Sequence, residues 1–409
     1  MKKCRNLWLT MLLCTSVGVG YAQKDFKLYG YASLYFEKVG TMSNASSEVK
    51  GDPGEFDYAH LNVMMQSNIS DKIKTYFNLS GVSRLEARNY WGEYAFNDKL
   101  KIRVGKMYRR FGQFNELLDA IPTYLGMEPP ELFDGDHLML PRTGKIMLHG
   151  GTAIGKNFLN YSYMLDSDEN MRISNGDEAT LSHTWDLNMS LLNDNLVVGH
   201  SGYVANEANG SSVALGEGSP NAGILPWMNS DKYNVLGGYL TAKFNNITLK
   251  GAYWVAHHKA VRDTGAIVTL VQNTTLNNAQ IENFFGPNYS GSYTGADVIT
   301  NADYVVSAFY VRLGYSIPKE KVPLKFAEIT PYVFIDGYSN PETIASKTWG
   351  GDNEAGVADD GKFYKPTIGI AIRPSHNMAL KIDGSSHIQK INGETVNYKE
   401  IRIDLSFMF

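Results

Sequence analysis

Ile401-Arg402-Ile403-Asp404-Leu405-Ser406-Phe407-Met408-Phe409 ends the chain with a large apolar side chain at every odd position. A β-strand turns successive side chains to opposite faces, so Ile401, Ile403, Leu405, Phe407 and Phe409 share one face and Arg402, Asp404 and Ser406 the other. That division suits a strand with hydrocarbon on one side and water on the other. Half-buried strands of soluble sandwiches alternate in the same way, so the rest of the chain must decide between the two.

The opposite end narrows the choice. Met1-Lys2-Lys3-Cys4-Arg5 is basic, Leu7 to Val19 is mostly apolar, and Gly20-Tyr21-Ala22 has small residues at both flanks, which predicts a signal peptide over 1–22. Leu13 before Cys14 is too large for a lipoprotein signal. Both cysteines, Cys4 and Cys14, fall in the removed segment, so disulfide and thiol chemistry are excluded from the exported chain. Beyond the signal no stretch reaches the roughly 18 apolar residues of a spanning helix, so membrane insertion requires strands. The 25 tyrosines suit the interfacial girdles of a barrel, and the 39 glycines suit tight turns. A net charge of −4 gives no footprint for nucleic acid or for a basic surface helix.

Sixteen strand-length segments follow: Phe26 to Glu37, Phe56 to Ser67, Lys72 to Val82, Leu85 to Phe96, Lys99 to Tyr108, Gly144 to Ile154, Asn157 to Asp166, Thr180 to Leu192, Leu196 to Asn206, Asp231 to Phe244, Ile247 to His258, Ala302 to Ile317, Lys325 to Tyr338, Phe363 to Arg373, Met378 to Ile391 and Asn397 to Phe409. Long connections, at 38–55, 109–143, 167–179, 207–230, 259–301 and 339–362, all follow odd-numbered strands. A soluble sandwich has no reason to sort its loops by parity, whereas a bacterial barrel has short periplasmic turns and long external loops. The expectation is an all-β, 16-stranded antiparallel transmembrane barrel over 23–409. A barrel of about sixteen strands leaves room for a water channel. Lys27, Tyr29, Tyr31, Ser33 and Tyr35 should line it on the first strand, Lys74, Tyr76, Asn78 and Ser80 on the third, and Ser182, Thr184, Asp186 and Asn188 on the eighth.

The third external loop, 109–143, is expected to fold inward as a constriction. Phe114, Leu117, Leu118 and Ile121 have the spacing of one helix face ended by Pro122, which leaves Glu116 and Asp119 on the other face, aimed into the channel. Arg109 and Arg110 open this loop and Arg142 and Lys145 close it, which completes a candidate constriction. Lys27, Lys74, Lys101, Arg103, Lys243, Lys250, Arg312, Lys365, Arg373, Lys381 and Arg402 are placed inward on the wall, against Asp186, Asp336, Asp383, Glu400 and Asp404. Fixed positive charge concentrates anions, so a mild anion preference is expected.

Arg103-Val104-Gly105-Lys106-Met107-Tyr108-Arg109-Arg110-Phe111-Gly112 resembles the strand-to-third-loop element of the phosphate-selective porin O and P family, and the order of segments resembles that family over nearly the whole mature chain. Arg110 stands where the family often has proline. The resemblance implies sixteen strands and a homotrimer, but the family's phosphate-binding arginines and lysines find no residue-by-residue match, so phosphate specificity is not carried over. The terminal Phe409 resembles the signal read by the barrel-assembly machinery. Expected partners are therefore that machinery, outer-membrane lipid and lipopolysaccharide, and small hydrophilic solutes or anions, with no nucleic acid. The expected function is passive diffusion across a Gram-negative outer membrane, without a cofactor.

Two other function classes compete. An enzyme of protease or lipase type would need acid-base chemistry, for which His257-His258 with Asp263 is the candidate; rim histidines are the plainer reading. Neither that pair nor Asp134-Gly135-Asp136-His137 has the spacing of a metal site, and no phosphate-cradling glycine motif or nucleophile elbow occurs. A secreted or surface adhesin would account for the signal peptide and for the 259–301 loop, rich in Asn, Thr, Ser and Gly. It would not account for the apolar outer faces or for the loop parity.

Overall fold

All sixteen predicted segments form strands, and in the computed structural model they close into one antiparallel barrel. The structure describes residues 25–40, 54–81, 85–114, 125–126, 143–166, 181–208, 227–273, 278–287, 289–322, 324, 326–342, 362–391 and 394–409. The signal segment, Glu116, Asp119, Arg142 and the stretch from Asp134 to His137 lie outside the described residues.

The strands are β1 (Asp25–Val39), β2 (Glu55–Asn68), β3 (Ile73–Gly81), β4 (Glu86–Asn97), β5 (Leu100–Tyr108), β6 (Thr143–Ile154), β7 (Asn157–Asp166), β8 (Ser182–Leu191), β9 (Leu196–Ala208), β10 (Met228–Phe244), β11 (Ile247–Arg262), β12 (Asn301–Tyr315), β13 (Glu328–Ser339), β14 (Lys362–Ser375), β15 (Met378–Ile391) and β16 (Glu394–Met408). Each pairs with its sequence neighbours, and β1 pairs with β16. Every long connection follows an odd strand, as expected, although the external connections after β3 and β15 are also short. β10 and β11 run further outward than the alternation suggested, because Met228 and Arg262 still pair and both turn buried side chains inward.

The end of the chain makes the seam. Phe409 donates its N–H to Gly30 O and accepts from Gly30 N, both at 3.0 Å. A Cβ on Gly30 would overlap the Asn62 carbonyl oxygen and stand 2.7 Å from the Phe409 ring, so glycine lets the terminal ring lie across β1.

Outside, large apolar side chains face out on every quarter of the barrel, among them Leu28, Val104, Leu236, Val311 and Ile368. Phe26, Phe96, Phe158, Phe244 and Phe407 ring the end that carries the short turns. This is the exterior of a barrel set in the Gram-negative outer membrane. Tyrosine does not build most of that girdle, contrary to the compositional expectation. Tyr31, Tyr203, Tyr233, Tyr239, Tyr304, Tyr310, Tyr332, Tyr338 and Tyr398 are buried inside instead.

The interior has two characters. Ser33, Asn78, Ser80, Thr184 and Asp186 give a polar wall, as the alternation predicted. Across the outer halves of β9 to β13 the inward positions are aromatic and aliphatic: Tyr203, Tyr233, Val235, Trp254, Ala256, Val306 and Tyr310 form one buried cluster. The 263–300 connection supplies its lid. Within it lie two helices, α1 (Thr264–Asn273) and α2 (Asn278–Phe285), where only a polar loop was expected. Asp263 accepts a hydrogen bond from Ala266 N at 3.0 Å and caps α1. Ile267 of α1 and Phe284 of α2 are fully buried in the cluster. Apolar burial on this scale excludes water, so a channel must run off-centre, beside the polar wall.

Candidate functional site

Loop 3 crosses the barrel. It leaves β5 at Arg109, whose buried guanidinium pairs with Asp166 at the end of β7, lies 3.4 Å from Ser182 Oγ and sits over the Tyr203 ring. Phe111 then packs 5.5 Å from Trp254 on β11, and Gly112, at φ +62°, donates its N–H to Ser201 Oγ at 2.8 Å. Gln113 is bonded to Thr241 of β10, and Phe114 meets Tyr310 of β12 edge-on at 5.6 Å. Further along, Leu125 O accepts from Arg312 and Gly126 O from Lys381 Nζ at 3.0 Å. A segment that begins on β5 and touches β10, β11, β12 and β15 spans the lumen, so the expected inward fold is what the chain adopts.

The phenylalanines explain why it crosses. Both are almost fully buried, and the Arg312 guanidinium lies 4.3 Å from the Phe114 ring and 3.8 Å from that of Phe334. Burying two such rings is worth about 3–6 kcal/mol, and a cation over an aromatic face adds roughly 0.5–2 kcal/mol.

Many wall cations face carboxylates. Arg103 donates to Glu93 at 2.7 and 2.9 Å and lies over Trp91, while His149 Nε2 stands 2.9 Å from the same carboxylate and Arg110 Nη1 lies 3.3 Å from His149 Nδ1. Lys74 is directly opposite Glu93, and Lys101 directly opposite His149. Lys145 lies half-buried on β6, between the registers of Met107 and Val104. Arg373 lies 3.2 Å from Glu328, Lys365 is opposite Asp336, and Lys381 is opposite Asp404. Arg402 donates to Glu37 at 2.8 and 3.0 Å and also contacts Glu400, whose other oxygen is 2.6 Å from His387 Nε2. Glu37, Glu93, Asp166, Asp231, Glu328 and Glu342 all belong to this interior, and none was among the acids read as inward from the sequence. The expected cation excess is correspondingly narrower.

One group stands apart. Lys250 on β11 is directly opposite Arg312 on β12, and Lys243 on β10 is opposite Thr248, two residues before Lys250. Like charges placed directly across a strand pair repel. Among the described residues no carboxylate lies within ion-pair distance of Lys243 or Lys250. Two cavities on the short-turn side of loop 3 share these lysines. One, of about 430 Å³, is also lined by Phe114, Leu125, Arg312, Arg373 and Glu328; the other, of about 480 Å³, by Arg110, Gln113, Asp186 and Tyr239. The arrangement places a basic patch beneath the loop that crosses the lumen.

The enzyme candidate dissolves in this geometry. His257 and His258 are neighbours on β11 and point to opposite faces, His257 outward and His258 inward. His258 Nδ1 is 2.7 Å from Asp231 Oδ2, with the ring stacked between Tyr233 and Tyr304 in the buried cluster. Asp263 caps a helix. No group of three metal-ligating side chains occurs among the described residues.

Comparison with solved structures agrees with this geometry. The outer membrane channel DcaP of Acinetobacter baumannii superposes with a TM-score of 0.53 over 94% of this chain and 97% of its own, at 10% identity. The fold is that of an outer-membrane porin. An anion-selective porin from Comamonas acidovorans gives a TM-score of 0.52 over 94% of this chain and 99% of its own, at 12% identity. No family model and no curated protein matches the sequence. Porin architecture is thus shared with chains only 10% and 12% identical in sequence.

Proposed function

We propose that the protein is a passive diffusion channel for small hydrophilic solutes, with a mild preference for anions. The observation that carries the reading is the Lys243, Lys250 and Arg312 group, in which, among the described residues, neither lysine has an acidic partner, at the foot of the loop that crosses the lumen. Positive charge in a confined aqueous passage raises the local concentration of anions and excludes cations. Passage down a gradient requires no cofactor. Kinship with the phosphate-selective porin O and P family, and a homotrimeric assembly, belong to the same proposal; the segment from Arg103 to Gly112 supports them.

Glu116 and Asp119, outside the described residues, complete the proposed constriction together with Arg110, while Arg109 acts as an anchor of the loop rather than as a charge facing the solute. Reversal potentials of the purified protein in a planar bilayer under a potassium chloride gradient test the reading: anion preference is expected, and clear cation preference overturns it. Replacing Lys243 and Lys250 together by glutamate should carry the reversal potential to the cation side.

A further inference from the structure

The outer surface of β10 to β12 carries charge where the membrane ends. On the outward face, Lys232 of β10 is directly opposite Lys259 of β11, and both side chains are exposed. One row closer to the membrane, Asn234 is opposite His257, which is opposite Val305. Below them the outward positions are Leu236, Leu240 and Phe244 on β10, Tyr253 and Ile247 on β11, and Val311, Leu313 and Tyr315 on β12. Twelve residues separate Ile247 from Lys259, and at a rise of about 3.3 Å and a tilt of roughly 35–45° they climb about 28–32 Å. The apolar band of such barrels is about 25 Å tall. The lysine row therefore lies just beyond the hydrocarbon, at the headgroups of the outer leaflet.

Like charges directly across an antiparallel pair destabilise it, and Cβ atoms there are only about 4.5–5.5 Å apart. Asp303 faces Lys259 from the other side, yet among the described residues no ion pair joins them or engages Lys232. A polyanion at headgroup height would relieve this repulsion. We propose that Lys232, Lys259 and His257 form a docking site for the phosphate groups of an outer-leaflet glycolipid, the lipid A part of lipopolysaccharide. Phosphate oxygens would bridge the two lysines, the imidazole of His257 would reach the sugar or a second phosphate from the row below, and acyl chains would lie along Leu236, Tyr253 and Val311.

The site faces away from the lumen, so binding and conduction are separable. The test measures binding of bis-phosphorylated lipid A to the full-length protein in detergent, against the same lipid with its phosphates removed and against inorganic phosphate as competitor. Lys232→Gln with Lys259→Gln should weaken binding about 25-fold, a factor of roughly five for each charge removed, with single-channel conductance unchanged. The dephosphorylated lipid should bind the unaltered protein as weakly as the variant binds lipid A. Equal affinity of the unaltered protein for the two lipids overturns the proposal even if the variant fails to fold. So does undiminished binding by a folded variant. Inorganic phosphate as tight a ligand as the lipid would reduce the site to an adventitious anion site, and a variant that loses oligomeric mass while retaining lipid would make this face an interface between copies of the chain.

Discussion

Removing the aromatic anchors should release loop 3 without unfolding the barrel. Phe111 and Phe114 are buried against Trp254 and Tyr310, while the barrel wall is held by its own continuous backbone pairing. Truncating a buried phenylalanine to alanine costs about 3–5 kcal/mol. The polar anchors are Gly112 to Ser201, Thr241 to Gln113, Arg312 to Leu125 and Lys381 to Gly126; two neutral bonds at about 1 kcal/mol and two charged ones at about 2 kcal/mol total roughly 6 kcal/mol. Phe114→Ala alone leaves that set and Phe111 in place, so the loop should stay docked. The double change removes about 6–10 kcal/mol, which the remaining bonds cannot offset once the entropy of ordering the loop is counted. Single-channel recording should then show a conductance above that of the unaltered protein and of Phe114→Ala, become noisier, and lose most of its ion preference, while the protein keeps the heat-modifiable gel mobility of a folded barrel. A double variant with the conductance and selectivity of the unaltered protein would refute the argument that these two rings hold the constriction.

Other outcomes follow from the same geometry. Gly30→Leu should prevent closure, because the added side chain collides with Asn62 O and the Phe409 ring, whereas Gly92→Ala, with open space at its Cβ, should fold normally; heat modifiability in gels separates them. Glu342→Gln should loosen the external loops, since Glu342 holds Arg262 at 2.5 and 3.0 Å and Asn283 at 2.7 Å, and breaking one side of a buried ion pair costs about 3–5 kcal/mol locally. Faster amide exchange across Thr264 to Phe285 is the readout. Glu116→Gln with Asp119→Asn should strengthen anion preference in reversal-potential measurements, and no change would remove those two carboxylates from the constriction. In the external turn, hydrogen bonds from Thr294 and Tyr289 hold the Asp297 carboxyl below its ordinary range. A depressed folded value contributes stability above the unfolded pKa that is lost as pH falls through the folded one, so Tyr289 fluorescence should stay constant until the pH drops below the usual aspartate range.

The barrel was legible because its strongest determinant is local. Period-two alternation in Ile401 to Phe409 states which face meets lipid, and Asn193, Asp194 and Asn245, all at positive φ, mark turns where the sequence shows Asn and Asp. The inward fold of loop 3 was read from its length and from the apolar spacing of Phe114, Leu117, Leu118 and Ile121; Phe114 does pack inside against Tyr310, but the second anchor, Phe111 against Trp254, lies outside that spacing and was missed. Which cations matter was not. Lys365 meets Asp336 and Arg103 meets Glu93 only through strand register, which residue lists do not carry. The aromatic half of the interior was hidden because Tyr304-Val305-Val306 is apolar on both faces, one toward lipid and one toward Trp254 and its neighbours, so the alternation that marks a wet bore disappears there. The helices of 263–300 escaped because Asn and Thr dominate the stretch and only a few apolar residues, such as Ile267 and Phe284, do the anchoring.

Ser33 and Asp404, joined across the seam, are 371 positions apart. Until the final residues of the chain are delivered, the half-made sheet carries two open rims of unsatisfied amides and carbonyls, a state that hydrocarbon cannot tolerate and that invites sticking to other chains. Insertion and circle completion must therefore be nearly one event. Deleting only Phe409 should cost far more in yield of assembled protein than its few contacts suggest.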